Sequence, residues 1–454
     1  MNLLDKLVIP LSPEHITLLH YISILIFSLF VPFISVVLGG TFLSIRMKSK
    51  GLKDNNSMLV HFSREVIETL TINKSMGIML GIFTLLTSIL IYLQLFHGDN
   101  LISVNYLAWS FVFVTIGLIL VYTYRYSSAF SDLFSSIQDY RTDDENIKEE
   151  LERYDENSRK LSFKAGRFGL AFLIIGLWFF VAGVTLAFFP SEWSDKNTFS
   201  VLFSWEVISR FITFLLTASA FTGAALLFAY FYWDGGKQNL SDHHKLLAKK
   251  TGIWLTAVPA VILPLFILID LTTFPDGSLS GAVFTFSSIA LFLLFLGYHY
   301  LYVLYKNMNS VEAKSVSRYS LYIFLTVLFT IFSTIITDQT AMGNANKQQT
   351  FALAQNFDAV MTKLTEGNKP KAISGEEIYK NICSACHSFD HKVVGPPYKL
   401  TLPKYHDDVD KLVKFILNPT QNNPGYPPMP NPGLHPDQAK AVATYILKEV
   451  KKYE

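Results

Sequence analysis

The chain has 454 residues, half of them hydrophobic and only 16% charged, and its formal net charge is +2. So small a charge over this length excludes nucleic acid as a partner. The hydrophobic fraction, with 38 Phe, is typical of a chain that lies largely in a lipid bilayer.

Eight apolar runs of roughly 20 residues are long enough to cross the hydrocarbon layer as helices. The first run ends in Arg46 and Lys48 and has no basic leader or small-residue cleavage site, so it is predicted to be a span and not a signal peptide. The sequence therefore predicts an all-α fold in which residues 1–338 form a polytopic helical membrane bundle. Spans 1 to 8 are predicted at residues 17–45, 75–96, 104–125, 168–190, 201–232, 253–272, 281–305 and 318–338.

Loop charge predicts the orientation of this bundle. Counted with Arg125 and Arg318 at the adjoining span ends, the segments that follow spans 1, 3, 5 and 7 hold 21 Lys and Arg, whereas the N-terminus and the segments after spans 2, 4 and 6 hold only Lys6 and Lys196. Because cytoplasmic loops carry the excess of Lys and Arg, both termini are predicted to lie outside. In a bacterium this describes a multi-pass protein of the inner membrane whose C-terminal region lies in the periplasm.

Few ionisable residues interrupt the spans, and each is a functional candidate. Glu206 and Arg210 are four residues apart on span 5 and are predicted to pair. Asp270, near the outer end of span 6, is a candidate for a proton or partner contact. Between spans 3 and 4, residues 126–166 carry charges of both signs and are predicted to form a solvated helical excursion on the cytoplasmic side.

A haem b inside the bundle would need inward-facing His pairs, or His with Met. Only His20 and His299 lie within the predicted spans. By the predicted topology, His20 is near the outer end of span 1 and His299 is in the inner half of span 7. This mismatch in depth argues against one haem shared between them, although the sequence does not exclude a haem b in the membrane domain.

Parts of the bundle resemble subunit I of the cytochrome bd quinol oxidases. The similar segments are Leu29–Pro32 and Trp205–Thr213, with Asn73–Gly77 a looser match. Phe27 stands where that family has its first haem ligand, and Thr213 stands where it has a haem-ligating His. Span 3 also has no Glu, and the loop after span 6 is too short for the family's quinol-binding loop. The resemblance implies a shared scaffold without the oxygen-reducing centre.

Residues 339–371 are polar and end in Gly367-Asn368-Lys369-Pro370. They are predicted to be a periplasmic linker, with a helix at 350–364, that tethers a separate domain at residues 372–454. A flexible tether of this length could reach tens of ångströms.

That domain contains Cys383-Ser384-Ala385-Cys386-His387, a C-x-x-C-H, which is the attachment site of a c-type haem. Two thiols at this spacing on a helical turn reach the two vinyl groups of a haem, and the adjacent His becomes an axial iron ligand. Cys383 and Cys386 are the only cysteines, so thioether attachment accounts for both. A thioredoxin-like redox pair and half of a zinc site remain alternatives, but neither uses the trailing His387.

A second axial ligand is expected about 40 residues downstream, and Met429 lies there in the Pro-rich loop 426–430. Prolines fix φ and remove competing N–H donors, which suits a thioether held rigidly against iron. His/Met ligation leaves no open position on the iron and favours electron transfer over catalysis. Among the rivals, His391 is too close to the attachment site to reach the opposite haem face. His406 and His435 are expected at the surface, and His435 is the second choice.

Residues 372–454 resemble a class I monohaem cytochrome c, a small all-α domain. The matching pieces are Gly375–Tyr379, the C-x-x-C-H, Gly395-Pro396-Pro397, Met429 and a closing helix from Pro436 to Lys451. The resemblance implies that the carbonyl of Pro396 accepts the Nδ1–H of His387 and so fixes its tautomer. It also implies that Gly375 and Tyr445 lie where the first and last helices cross.

Two functions are consistent with these features. In the first, which the missing haem b ligands favour, the chain is a non-catalytic electron-transfer subunit. Its one covalently bound haem c would relay single electrons between other membrane respiratory subunits and a periplasmic redox protein. In the second, the chain is a quinol-oxidising or oxygen-reducing enzyme with additional haem b. A third possibility, a haem-based redox sensor, lacks a recognisable output domain.

Overall fold

The described part of the computed structural model is mostly helical, and no strand occurs in it. Lys6, Lys196 and residues 368–373 of the predicted linker and domain start lie outside the described residues. The structure describes residues 11–96, 102–138, 145–190, 198–237, 240–309, 313–367, 374–420 and 425–453.

Eight helices are long and apolar enough to cross a membrane, which confirms the predicted bundle. Each overlaps one predicted span, so the span numbers are kept. The eight are Pro13–Lys53, Lys74–Leu95, Ile102–Phe130, Glu149–Leu186, Trp205–Phe231, Asp242–Thr273, Gly281–Lys306 and Ser315–Ala345.

Serine side chains set where several spans begin. The hydroxyl of Ser204 accepts from the backbone N–H of Val207, so span 5 begins at Trp205 rather than at the predicted residue 201. Ser12, Ser241 and Ser280 cap spans 1, 6 and 7 in the same way. Each cap satisfies a backbone donor that the helix itself leaves unpaired.

In its described residues, 126–138 and 145–166, the charged segment between spans 3 and 4 is helical, as predicted. The helix of span 3 continues to Gln138, and the helix of span 4 starts at Glu145. Arg159 pairs with Asp155 at 2.7 Å, one turn away. Both helices therefore extend beyond their apolar parts. The cytoplasmic position of these extensions remains a prediction.

A helix that the sequence reading missed, Ser57–Leu70, follows span 1. Its apolar side is fully buried at Phe62, Val66 and Ile67 against the bundle. At 14 residues it is too short to span a bilayer, and its hydrophobic spacing is that of an amphipathic helix.

The chain divides into two compact units, Met1–Phe357 and Asp358–Glu454. The helix of span 8 runs to Ala345 and is followed by a second helix, Lys347–Gly367. The predicted linker is thus helical over most of its described part, with a longer helix than the predicted 350–364. The domain boundaries at 338 and 371 remain predictions.

The C-terminal unit is a small all-α domain with its own core. Gly375 lies against the last helix, where an added Cβ would come within 2.1 Å of the Ala441 carbonyl oxygen and 2.8 Å of the Tyr445 Cβ. The expected crossing of the first and last helices is therefore confirmed. The main helices are Gly375–Ile378, continued by a wider turn Tyr379–Cys383, then Tyr398–Thr401, Val409–Leu417 and Pro436–Val450.

The predicted pairing of Glu206 with Arg210 is wrong. Arg210 instead donates to Asp338 of span 8, with an Nη1–Oδ1 distance of 3.3 Å. Glu206 is in the first turn of span 5, where a carboxylate faces the positive end of the helix dipole. Arg210 is one turn deeper and buried, so it requires a partner inside the bundle.

Candidate functional site

The segment ahead of the two cysteines is fixed by a capping box. The Ser374 hydroxyl accepts from the Glu377 N–H at 3.1 Å, and the Glu377 carboxylate accepts from the Ser374 N–H at 3.3 Å. At the end of this helix the Cys383 carbonyl accepts from the N–H groups of both Cys386 and His387, at 3.1 and 2.9 Å. This tight turn brings the two thiols and the imidazole together.

The imidazole of His387 is held from two sides. Its Nδ1 lies 3.0 Å from the carbonyl oxygen of Pro396, the contact that the resemblance implied. Its ring stacks on Tyr398 with centroids 5.0 Å apart and planes 10° from parallel. Because the Pro396 carbonyl can only accept, Nδ1 carries the proton and Nε2 is the nitrogen left for a metal.

The backbone of residues 394 and 395 closes over this ring. The N–H groups of Val394 and Gly395 donate to the Cys386 carbonyl at 3.2 and 2.8 Å. A Cβ added at Gly395 would lie 2.4 Å from Cε1 of His387. Glycine at this position therefore permits the close approach that brings the neighbouring Pro396 carbonyl to Nδ1.

The surroundings of Cys383 favour haem attachment over a thiol–disulfide exchange site. The thiol is half-buried against the domain core, and burial raises its pKa, with a hydrogen bond from Tyr398 opposing this. Catalytic redox cysteines have lowered pKa values and an electropositive environment. Tyr398 is itself buried, which raises the pKa of its hydroxyl well above the usual range and keeps it a neutral donor.

Met429 is half-buried in a loop that contains no regular structure. The Lys392 ammonium lies 4.8 Å above the ring of Tyr426, so the start of this loop contacts the segment that follows the C-x-x-C-H. Further on, the Asn431 side chain donates to the Leu417 carbonyl at 3.0 Å. The loop is thus tied at both ends, and iron ligation by Met429 remains a prediction.

The rival histidines have other contacts. The Nδ1 of His391 lies 2.6 Å from an Asp390 carboxylate oxygen and 3.1 Å from the Ser388 hydroxyl. His435 precedes the last helix, and its backbone N–H donates to the Gln438 side chain at 3.0 Å. The exposed positions of His406 and His435 agree with the surface positions expected for them, and His391 is exposed as well.

The donor set fits a covalently attached haem. It combines two half-buried thiols with an imidazole that keeps Nε2 for iron. Apolar side chains in the flanking segments are exposed: Ile382 by 41%, Val394 by 51% and Leu400 by 70% of their surface. An exposed apolar surface of this kind suits the face and edge of a porphyrin.

In the membrane unit, the two candidate histidines are in different settings. His20 faces Gly343 of span 8, where an added Cβ would lie 3.5 Å from the ring. His299 is exposed on span 7, with its ring centroid 5.7 Å from that of Tyr300. An exposed position suits a lipid-facing or interfacial role better than an inward ligand.

Sequence reasoning missed Tyr398 and Asp338 as site residues. Tyr398 directly follows Gly395-Pro396-Pro397, the motif whose Pro396 carbonyl holds the His387 imidazole. Its aromatic side chain next to that motif was the signal that could have identified it. Asp338 was the last residue of predicted span 8. A carboxylate at that position indicates the end of the apolar span and not a buried site. Only its contact with Arg210 shows that it lies inside the bundle.

The known proteins that this chain resembles match its C-terminal domain. The family model "Cytochrome c" matches residues 372–449. Cytochrome c-551 of Pseudomonas denitrificans is 37% identical over 78 residues, which are 16% of this chain and 95% of that protein. Cytochrome c-551 of Azotobacter vinelandii is 36% identical over 78 residues, again 16% and 95% of the two chains.

Cytochrome c-551 of Allochromatium vinosum is 40% identical over 73 residues, which are 15% of this chain and 77% of that protein. No solved structure matches the chain significantly. The matched residues contain the C-x-x-C-H, the Pro396 carbonyl and Met429. The chain therefore belongs, through its C-terminal domain, to the cytochrome c family of haem c electron-transfer proteins.

Proposed function

We propose that this protein is a membrane-anchored monohaem cytochrome c that transfers single electrons on the periplasmic side of a bacterial inner membrane. The observation that carries the proposal is the arrangement at the C-x-x-C-H, where two thiols share a turn with an imidazole whose Nδ1 is engaged by the Pro396 carbonyl. Eight spans in the same chain attach this domain to the bilayer.

Each residue has a defined part in this proposal. Cys383 and Cys386 would hold the haem through thioether bonds, and His387 and Met429 would ligate its iron. Haem c supplies a one-electron iron couple when bound. The Pro396 carbonyl and the Tyr398 ring orient the imidazole, and two protein ligands to the iron would favour electron transfer over substrate binding there.

The distribution of loop charge supports a periplasmic haem. The loops after spans 1, 3, 5 and 7 hold nearly all of the loop Lys and Arg, which favours a C-terminal domain outside the cytoplasm. Covalent haem attachment takes place on that side in bacteria. Its partners would be other respiratory subunits in the membrane and a periplasmic redox protein, and the bundle would be a cytochrome bd-like scaffold.

A pyridine haemochrome assay on the purified full-length protein tests this function. We expect one haem c per chain and no haem b, because the thioether bonds and the two axial ligands come from one domain. A Cys383→Ser, Cys386→Ser double variant is the matched control and should carry no covalent haem. One haem b per chain would contradict the proposal and favour the quinol-oxidising or oxygen-reducing alternative.

A further inference from the structure

A cavity of about 400 Å³ lies between the helices of spans 1, 3 and 4 and the short helix Ser57–Leu70. Three basic side chains line it, Lys48 from span 1 and Arg159 and Arg167 from span 4. In the described part of the chain, no carboxylate is among its lining residues. Electron transfer in the C-terminal domain does not require a cavity lined by cations, so this concentration of charge needs a separate explanation.

The Lys48 ammonium is held by neutral groups. Its Nζ donates to the hydroxyls of Ser162 and Ser128, at 3.0 and 3.4 Å. It also lies 5.7 Å from the centroid of the Tyr124 ring. Among the described residues, its polar contacts are to hydroxyls and a ring, and none is to a carboxylate. A half-buried cation without a counter-ion is costly, so this ammonium favours an anion as the ligand of the cavity.

The two arginines differ in how their charge is balanced. Arg159 pairs with the buried carboxylate of Asp155 at 2.7 Å. The Arg167 guanidinium lies over the Phe163 ring, 3.9 Å from its centroid, and forms no ion pair with the residues that the structure describes. Asp155 therefore balances one of the three cations of the cavity, and two positive charges are left for a ligand.

The apolar side chains at the cavity favour a lipid over a soluble anion. Leu52 and Phe163 line the cavity and expose 63% and 56% of their surface. A soluble anion would leave these side chains in water, whereas the acyl chains of a phospholipid would cover them.

The position of the cations agrees with a lipid headgroup. Lys48 lies three residues after the predicted end of span 1, and Arg167 immediately precedes predicted span 4. Both are therefore expected at the boundary between headgroups and hydrocarbon, at the end of the bundle that the loop charges predict to be cytoplasmic. Basic pockets between spans on that side of a membrane bind the headgroups of anionic lipids.

We propose that this cavity binds the headgroup phosphate of an anionic phospholipid. Lys48 and Arg167 donate to the phosphate oxygens, which accept several hydrogen bonds and carry the opposite charge. The acyl chains lie along Leu52 and Phe163. A zwitterionic phospholipid fits less well, because its ammonium group is repelled by the same cations. The site uses no residue of the haem domain, so this proposal and the function proposed above can fail separately.

The test is native mass spectrometry of the detergent-solubilised full-length holoprotein with increasing amounts of phosphatidylglycerol. We expect a saturable site that prefers this lipid by about tenfold or more over phosphatidylcholine with the same acyl chains. Lys48→Gln should weaken phosphatidylglycerol binding by about tenfold or more, because a hydrogen bond between charged groups is lost. Lys50→Gln is the matched control and should bind like the unaltered protein, since Lys50 is exposed on the same helix outside the cavity.

A second variant keeps the test decisive if Lys48→Gln does not fold. Arg167 is exposed, so Arg167→Gln leaves the buried hydroxyl contacts of Lys48 in place. It should also weaken binding by about tenfold or more, whereas Lys164→Gln, on the same helix and outside the cavity, should not.

The haem absorption spectrum should be the same in all four variants. Equal losses in the cavity variants and their controls would overturn the proposal, since binding would then depend only on overall charge. Equal binding of phosphatidylcholine would overturn it as well. So would displacement of phosphatidylglycerol by an equimolar amount of inorganic phosphate, which would indicate a site for a free anion.

Discussion

At the residue scale, His387 shows how the backbone controls a side chain. A ring with two nitrogens can present either one, and the Pro396 carbonyl 3.0 Å from Nδ1 selects the tautomer. Tyr398 stacks on one face of the ring, and the Gly395 backbone lies over the ring at Cε1. Nε2 is therefore presented in a fixed direction.

Met429→Ala tests the second axial ligand. We expect the oxidised protein to lose the weak sulfur–iron absorption band near the red end of the spectrum, because the thioether is the only proposed source of that band. His435→Ala is the matched control and should keep it, since His435 is the N-cap of the last helix. Retention of the band in the Met429 variant would refute the assignment.

Gly395→Ala tests the close contact with the His387 ring. The new methyl group would lie 2.4 Å from Cε1, so either the ring or the backbone at Pro396 must move. We expect a loss of about 1–3 kcal/mol in the free energy of unfolding, measured by denaturant titration followed through haem absorption, and altered NMR resonances of the His387 ring.

Gly375→Ala is the control for that experiment. Its methyl group would collide with the Ala441 carbonyl at the helix crossing, away from His387. It should lower stability but leave the His387 resonances in place. If the two variants changed those resonances equally, the contact at Gly395 would not be specific to the ring.

At the element scale, ionisable residues inside the spans are partnered across helices rather than along them. Arg210 of span 5 contacts Asp338 of span 8, and Asp270 of span 6 accepts from Ser209 and Thr213 of span 5. The hydrocarbon layer of a bilayer contains no water that could hydrogen-bond a polar side chain. The packing of neighbouring helices therefore decides which partner that side chain has.

Asp338→Ala tests the pairing at this scale. Removing one member of a buried ion pair leaves the other uncompensated, and we expect a loss of about 3 kcal/mol, at the lower end for such pairs because Asp338 is partly accessible. The measurement is thermal unfolding in detergent. Glu206→Ala is the control and should change the free energy of unfolding by about 0.5 kcal/mol or less. Equal losses in both variants would instead favour the pairing of Glu206 with Arg210 that their spacing predicts.

At the scale of the whole molecule, reporter fusions test the orientation. Alkaline phosphatase is active only outside the cytoplasm, so fusions after Gly277, between spans 6 and 7, and at the chain end should be active. A fusion after Asn307, between spans 7 and 8, should be inactive because Lys306 and the following Lys and Arg retain that loop inside. The reverse pattern would place the haem domain in the cytoplasm.

Span number, helical class and the C-x-x-C-H could be read from the chain because each depends on local properties. A span needs only length and hydrophobicity, and haem attachment needs only two thiols and an imidazole at fixed spacing. The same local criteria missed the helix Ser57–Leu70, whose apolar side is meaningful only once a bundle exists to bury it.

Thus the sequence by itself determined that the chain is a helical membrane protein with a C-terminal cytochrome c domain, and which cysteines and histidine that domain offers. Tertiary structure alone decided that Arg210 pairs with Asp338, that Tyr398 stacks on His387, and that basic side chains line a cavity between the spans. The physical reason is that these contacts join residues far apart in sequence, and their distances depend on how the helices pack.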